Sequence, residues 1–161
     1  MFACRLVQDS EIDLVSQLVW RVFDEFVEGH HSIEGRDDFR RYASPAGLRE
    51  RHANGCLTFV ATRADRLLGM LHLKDGGHVA MLFVAGDSQR QGVGRLLVNE
   101  AAKYARSRQP PVPVMTLAST ANAVGAYQRL GFSIIGEAKV IKGILFTPMG
   151  LKLESNSRVR S

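Results

Sequence analysis

The segment QRQGVG, residues 89–94, combines two glycines and a basic residue in a pattern suited to holding an anion. It follows an apolar run that ends at Val84, and it leads into a run with helical spacing that begins at Gly92. The first main-chain N–H groups of a helix have no partner within the helix, and the helix dipole favours negative charge there. Because glycine also lets the main chain approach a ligand closely, the segment predicts a phosphate-binding loop at a helix start.

Two common phosphate-binding motifs do not fit this segment. A P-loop needs Gly-Lys followed by Ser or Thr, and neither Lys nor Ser or Thr follows Gly94. A dinucleotide-binding motif needs Gly or Ala three residues after Gly94, where this chain has Leu97. A helix that merely begins with glycines and binds nothing is the third interpretation, and the segment alone leaves it open.

The first third of the chain predicts elements that could cover one side of a sheet. A short strand is predicted over 3–7, and apolar residues at helical spacing predict a helix over 11–27 with one buried face. The least regular segment is 30–54, which predicts one or two short polar helices. Ser44 and Pro45 are typical of a helix cap and a first-turn proline, so a helix is expected to begin there.

The rest of the chain predicts a sheet interrupted by two helices. Residues 78–84 are apolar on both faces, which is typical of a central strand covered on both sides. A mixed sheet with helices on both faces is expected from the order of elements. The predicted strands cover 56–62, 67–73, 78–84, 114–117, 132–140 and 144–153, and the predicted helices begin at residue 92 and cover 121–130.

Two longer stretches carry a family resemblance: LFVAGDSQRQGVGRLLVNEAAKYAR at 82–106 and AYQRLGF at 126–132. The first resembles the coenzyme motif Gln/Arg-x-x-Gly-x-Gly/Ala of the Gcn5-related N-acetyltransferase (GNAT) superfamily, with Gln89, Gly92 and Gly94 at the matching positions. The resemblance spans about residues 5–153.

The resemblance implies a single-domain α/β (α+β) fold. Its sheet would be mixed but mostly antiparallel, with about seven strands flanked by about four helices and splayed at the central strands. The domain is expected to cover residues 1–154, followed by a flexible C-terminal tail at 155–161.

The resemblance also implies an enzyme that moves an acetyl group from acetyl-CoA to a primary amine, by direct transfer in a ternary complex. In this family the pantetheine arm pairs with the exposed main chain of the strand before the glycine loop, and the pyrophosphate lies on the loop amides. The coenzyme-binding residues implied here are Leu82, Phe83, Val84, Gln89, Arg90, Gln91, Gly92, Val93, Gly94, Arg95, Asn122 and Tyr127.

An acid and a base would serve this chemistry. The resemblance assigns the proton donor to Tyr127, whose alternative interpretation is a core aromatic residue. For the base we consider His78, because imidazole titrates in the useful range, although a histidine after a Gly-Gly turn is also typical of a surface. Glu25 and Glu34 are alternatives that could instead bind a cationic substrate.

One polar position departs from the family pattern. Many relatives carry Asn seven positions before the tyrosine, where this chain has Thr120. Asn122 lies two residues further on, so which of the two side chains contacts the pantetheine region stays open.

Composition restricts the remaining classes of function. The chain has 161 residues, a formal net charge of +5 and two cysteines without metal-ligand spacing. His30, His31 and His52 are expected to be loop histidines rather than metal ligands, so no metal is predicted. No apolar run is long enough to cross a membrane, and the absence of a signal-like segment predicts a cytoplasmic protein.

Two other functions remain as hypotheses. The first is a non-catalytic module that binds acyl-CoA or regulates a partner. The second is nucleic-acid binding, which the scattered basic residues do not favour. The acceptor is expected to be a small-molecule or peptide amine, and whether the protein forms a homodimer is open.

Overall fold

A computed structural model of the protein describes residues 2–26, 33–141 and 143–153. The strands are β1 (Ala3–Leu6), β2 (Leu57–Arg63), β3 (Arg66–Lys74), β4 (His78–Val84), β5 (Val114–Thr120), β6 (Ser133–Ile134), β7 (Lys139–Ile141) and β8 (Ile144–Lys152). The helices are α1 (Ile12–Phe26), α2 (Ile33–Tyr42), α3 (Pro45–Ala53), α4 (Val93–Ser107) and α5 (Val124–Arg129).

Among the residues that the structure describes, one sheet of eight strands forms the centre of the fold, in the order β1-β2-β3-β4-β5-β8-β6 with β7 also paired to β8. Every strand pair is antiparallel except β4 with β5, which is parallel. The mixed, mostly antiparallel sheet expected from the sequence is therefore confirmed.

Two hydrophobic cores lie on opposite faces of the sheet. The α4-side core joins α4 residues such as Leu97 and Ala101 to Phe59, Leu71 and Met115. The α1-side core joins the buried stripe of α1 and Leu48 of α3 to the other face of β2, β3 and β4. This arrangement leaves β4 covered on both faces, as its apolar sequence predicts.

The irregular segment 30–54 forms two helices in the part that the structure describes. Ser44 caps α3, since its Oγ accepts a hydrogen bond from the Gly47 N–H at 3.0 Å. Pro45 occupies the first turn, where a missing N–H costs nothing. His52 lies in the last turn of α3, so the prediction of a loop histidine is wrong for this residue.

The predicted strand 132–140 is divided into β6 and β7. The Pro148 carbonyl of β8 accepts a hydrogen bond from the Ile135 N–H at 3.0 Å, so this edge of Pro148 faces β6. Because proline has no N–H, Pro148 cannot donate a second hydrogen bond to Ile135. The ladder therefore stops there, and pairing resumes only between Lys139 and Phe146.

Candidate active site

Strands β4 and β5 separate after a single point of contact. Both strands lie wholly within the described residues and have seven residues each, yet they share one register pair, His78 with Thr116. Beyond this pair they open into a gap that points towards the C-terminal end of β4. The gap is the splay expected at the central strands.

The main chain of β4 lines one side of this gap. Ala85 donates to the Leu68 carbonyl at 2.8 Å, which places the main-chain groups of Ala85 on the β3 side. Since residues of an antiparallel pair alternate in direction, Phe83 also faces β3, whereas Leu82 and Val84 face the gap. Of the three β4 residues predicted to bind the coenzyme, Leu82 and Val84 thus have main-chain groups free of the β3 ladder.

The glycine loop follows the open end of the gap and leads into α4. Gly92 precedes the first helical residue with φ +90°, and no side chain in the described part of the chain caps the helix there. The first-turn N–H groups at Val93, Gly94 and Arg95 are therefore uncapped by a side chain. Gly94 has no positive φ, and a Cβ added to it would meet only Leu130 carbon atoms at 3.9 and 4.0 Å.

The polar side chains of the loop make short-range contacts. Gln89 Nε2 donates to the Val84 carbonyl at 3.0 Å, and Gln91 Nε2 donates to the Asp87 carbonyl at 2.9 Å. Arg90 is exposed and adopts φ +63°, a conformation that non-glycine residues rarely take. The Val84 carbonyl that faces the gap is thus covered by the amide of Gln89.

Helix α5 is held against the first turn of α4. Arg95 Nη2 donates to the Arg129 carbonyl at 2.6 Å, and Leu130 lies beside Gly94. This Arg95 N–H group is therefore already hydrogen-bonded to the end of α5. The contact brings α5, with Tyr127, next to the glycine loop.

Tyr127 is half-buried on the α4 side of the gap. Its side chain packs against the same core as Leu82 and Val84, and its ring meets Phe132 edge-on at 6.0 Å between centroids. Within the described residues its hydroxyl has no hydrogen-bond partner. Burial raises the pKa of the phenol above its ordinary value, so the group holds its proton at neutral pH.

His78 stands where the two strands meet, on the opposite face of the sheet from Tyr127. Its neighbour Val79 belongs to the α4-side core, and consecutive strand residues point to opposite faces. His78 Nδ1 lies 2.8 Å from Thr116 Oγ1. Burial, and then the charge of Lys74, lower the pKa of this imidazole, so it is neutral at pH 7.

The other predicted polar residues are dispersed. Asn122 is exposed, and its Oδ1 accepts a hydrogen bond from Thr120 Oγ1 at 2.7 Å, so the two candidates for the pantetheine contact form one pair. Glu25 lines a groove of about 540 Å³ between α1 and residues 85–87. Glu34 is the second residue of α2, but its side chain, like His30 and His31, lies outside the described residues.

A buried polar chain on the α1 side was not predicted. Arg51 Nε donates to His72 Nε2 at 3.1 Å, His72 Nδ1 lies 2.9 Å from Thr58 Oγ1, and that hydroxyl lies 2.7 Å from His52 Nε2. His72 is fully buried, and its pKa is lowered to about 3 by burial and by the Arg51 charge. A histidine within the apolar run LLGMLHL was the one signal available for it.

Two absences hold for the described ranges 2–26, 33–141 and 143–153. They contain no group of three or more His, Cys, Asp or Glu side chains able to hold a metal ion. None of their helices is long and apolar enough to span a membrane.

A parallel strand pair that splays and leads into a glycine-rich helix start is the arrangement that the resemblance to the acetyltransferases implies, and comparison with known families agrees. The family model described as "Acetyltransferase (GNAT) domain" matches residues 27–153. The chain belongs to this GNAT family and is an N-acetyltransferase.

Two curated proteins resemble the chain in sequence. It is 29% identical over 113 residues to the peptidyl-lysine N-acetyltransferase YjaB of Salmonella typhimurium, covering 68% of this chain and 74% of that protein. It is 26% identical over 131 residues to the peptidyl-lysine N-acetyltransferase YiaC of Escherichia coli strain K12, covering 81% and 83%.

Solved structures show the same fold at lower identity. The PaiA N-acetyltransferase of Thermoplasma acidophilum, in complex with coenzyme A, superposes with a TM-score of 0.77 at 17% identity, over 94% of this chain and 99% of that one. The apo form of YjaB from Escherichia coli gives 0.73 at 23% identity, over 93% and 97%.

Proposed function

We infer that the protein uses acetyl-CoA to acetylate a primary amine, by direct transfer within a ternary complex. The observation that carries this proposal is the gap between β4 and β5, which opens beside the uncapped first turn of α4. The gap offers main-chain pairing to an extended arm, and the helix start offers N–H groups to a diphosphate.

The coenzyme fits the residues that are present. Leu82 and Val84 would pair with the pantetheine arm, and the amides of residues 90–95 would hold the pyrophosphate. Gln89 would release the Val84 carbonyl as the arm enters, because its side-chain amide occupies that acceptor at 3.0 Å. The exposed guanidinium of Arg90 adds positive charge at the same place.

Acid and base act from opposite faces of the gap. When acetyl-CoA is bound, its thioester supplies the acetyl group and a thiolate leaving group. His78 Nε2 takes a proton from the incoming amine, whose nitrogen then forms the new bond to the acetyl carbon. As the bond between the acetyl carbon and sulfur breaks, Tyr127 gives its phenolic proton to the departing sulfur and recovers one from solvent, to which His78 releases the proton that it took.

Direct transfer agrees with the state of the two cysteines. Cys56 is buried immediately before β2, and Cys4 lies half-buried in edge strand β1, away from the gap. Burial raises the pKa of Cys4 to about 11, so its thiol is protonated at neutral pH and is a poor nucleophile. Neither cysteine is placed to carry the acetyl group.

For the acceptor we propose the side-chain amine of a lysine in a peptide or protein. The two curated relatives are both named peptidyl-lysine N-acetyltransferases, which supports this class. A panel of lysine peptides, amino-terminal peptides and polyamines, followed by free-thiol release and by mass of the product, decides between them. Acetylated product from the polyamines or the amino-terminal peptides, and none from the lysine peptides, would overturn the lysine proposal.

Acetyl-CoA is expected to stabilise the protein against heat. Ligand at a hundred times its Kd adds about 2.7 kcal/mol to the free energy of unfolding. For a domain of this size that raises Tm by roughly 5 to 11 °C. Differential scanning fluorimetry with acetyl-CoA, and with adenosine as a control that lacks the diphosphate and the arm, measures this. An unchanged Tm at millimolar acetyl-CoA contradicts the proposed site.

Substitution His78→Gln is expected to lower kcat/KM about tenfold at neutral pH, less than a full general-base contribution because water can accept the proton. The lowered pKa of His78 places the acidic limb of the wild-type profile of kcat/KM below the ordinary histidine range near pH 6.5. The variant should lose this limb. A pH profile from 5 to 9 tests the assignment, and a limb that persists in the variant would exclude His78 as the base.

A further inference from the structure

His78 and Thr116 join β4 to β5 by both their main chains and their side chains. The two residues form the register pair of the parallel strands, and the Thr116 N–H donates to the Gly77 carbonyl at 3.0 Å. The Thr116 hydroxyl lies 2.8 Å from His78 Nδ1. Thr116 points to the same face as His78, because its neighbours Met115 and Leu117 belong to the α4-side core.

The chemistry of this contact determines which imidazole nitrogen is free. A hydroxyl both donates and accepts, whereas each nitrogen of a neutral imidazole does one or the other. If Thr116 accepts from Nδ1–H, the lone pair of Nε2 is left for an incoming proton. Once Nε2 is protonated both nitrogens are donors, and Thr116 Oγ1 still provides the acceptor that Nδ1–H requires.

We propose, resting on the proposed function, that Thr116 is a positioning residue for His78: its hydroxyl holds Nδ1–H, directs Nε2 towards the acceptor amine and stabilises the protonated ring. A strand threonine at a place where two strands diverge suits this role, since β5 fixes its side chain while β4 carries the base.

The surroundings of His78 disfavour its protonated form, so the hydrogen-bond acceptor that Thr116 provides matters for this residue. Within the described residues, Lys74 on the neighbouring strand β3 is the charge that acts on His78, and it disfavours the imidazolium, as does burial. The Thr116 hydroxyl on β5, at 2.8 Å from Nδ1, supplies the acceptor that would offset both effects. Without its oxygen, the protonated ring would have an unpaired N–H in a half-buried place.

The direct test is the titration of His78 followed by NMR of ring-labelled histidine, with the His78→Gln spectrum for assignment. Thr116→Val keeps the β-branched shape but removes the hydroxyl, and it should lower the His78 pKa by about one pH unit. Thr116→Ser should restore the wild-type value. Thr62→Val, at a half-buried strand threonine two strands away from β4, is the matched control and should leave His78 unchanged.

Kinetics supply the second measurement. Thr116→Val should lower kcat about fivefold with KM for acetyl-CoA unchanged, and should move the acidic limb of the pH profile to lower pH, because His78 becomes harder to protonate. An unchanged His78 titration in Thr116→Val overturns the positioning role. A His78→Gln enzyme with wild-type rates overturns the base itself, while the effect of Thr116→Val on the titration would still stand as evidence for the hydrogen bond.

Discussion

Replacement of Tyr127 by phenylalanine is expected to lower kcat about 100- to 1,000-fold while the Kd of acetyl-CoA changes less than twofold. The expected loss corresponds to the usual contribution of a positioned general acid. Affinity should persist because phenylalanine keeps the ring, its packing against the α4-side core and its edge contact with Phe132. Stopped-flow or steady-state thiol release gives kcat, and isothermal titration calorimetry gives Kd.

The structure supports a proton donor at this position for two reasons. Within the described residues the Tyr127 hydroxyl has no partner, so it is free to meet a ligand atom. The raised pKa keeps the phenol protonated at neutral pH, and an acid must hold its proton until the leaving group needs it. A departing thiolate, with a conjugate acid of pKa about 8.5 if it resembles cysteine, is a base that a well-placed phenol can protonate as charge develops.

A matched control is available in α4. Tyr104 is also half-buried, packs against the same core and meets Phe59 edge-on at 6.2 Å between centroids. Tyr104→Phe therefore repeats the chemical change at a distance from the gap and should leave kcat within twofold of wild type. If Tyr127→Phe behaves like Tyr104→Phe, Tyr127 is a core aromatic residue and the acid is elsewhere.

Substitution Gly94→Ala is expected to have opposite effects on stability and on coenzyme binding. Alanine is favoured over glycine by about 1 kcal/mol in a helix interior, so at this first-turn position it should raise the free energy of unfolding of the ligand-free protein by less than that. The added Cβ would meet only Leu130 at ordinary contact distance, so packing does not oppose it. Affinity for acetyl-CoA should nevertheless fall about 10- to 100-fold, because the methyl group keeps the diphosphate away from the first-turn amides.

A variant that gains stability but loses affinity for acetyl-CoA identifies a glycine that binds the ligand, as opposed to one that the fold requires. Gly92 could not serve as well, because its φ of +90° strains any other residue whether or not a ligand binds. Asn99→Ala, on the exposed face of α4, is the control that also improves helix propensity but should leave Kd unchanged. Urea unfolding of the free protein and calorimetry with acetyl-CoA measure the two effects. Unaltered affinity in Gly94→Ala would show that the helix merely begins with glycines.

Much of the fold follows from local sequence pattern. Apolar spacing predicts α1 and α4, because burial of one helix face requires apolar residues at helical spacing. The run HVAMLFV predicts a central strand, because burial on both faces requires a continuous apolar run. The cap at Ser44 is equally local. The division of residues 132–140 into β6 and β7 was missed because its cause, Pro148, lies in a different strand and acts only through pairing.

The candidate site likewise has one part that local sequence motifs predict and another that they do not. Gln89, Gly92, Gly94 and Tyr127 lie in short motifs, so the sequence by itself determined the family and the expected coenzyme loop. Only the tertiary structure decided that Leu82 and Val84, not Phe83, turn their main chains to the gap, and that Thr116 meets His78. It also decided that His72 is buried in a hydrogen-bonded chain with Thr58. The physical reason is that strand register and hydrogen-bond direction depend on residues far apart in the chain, which no local pattern records.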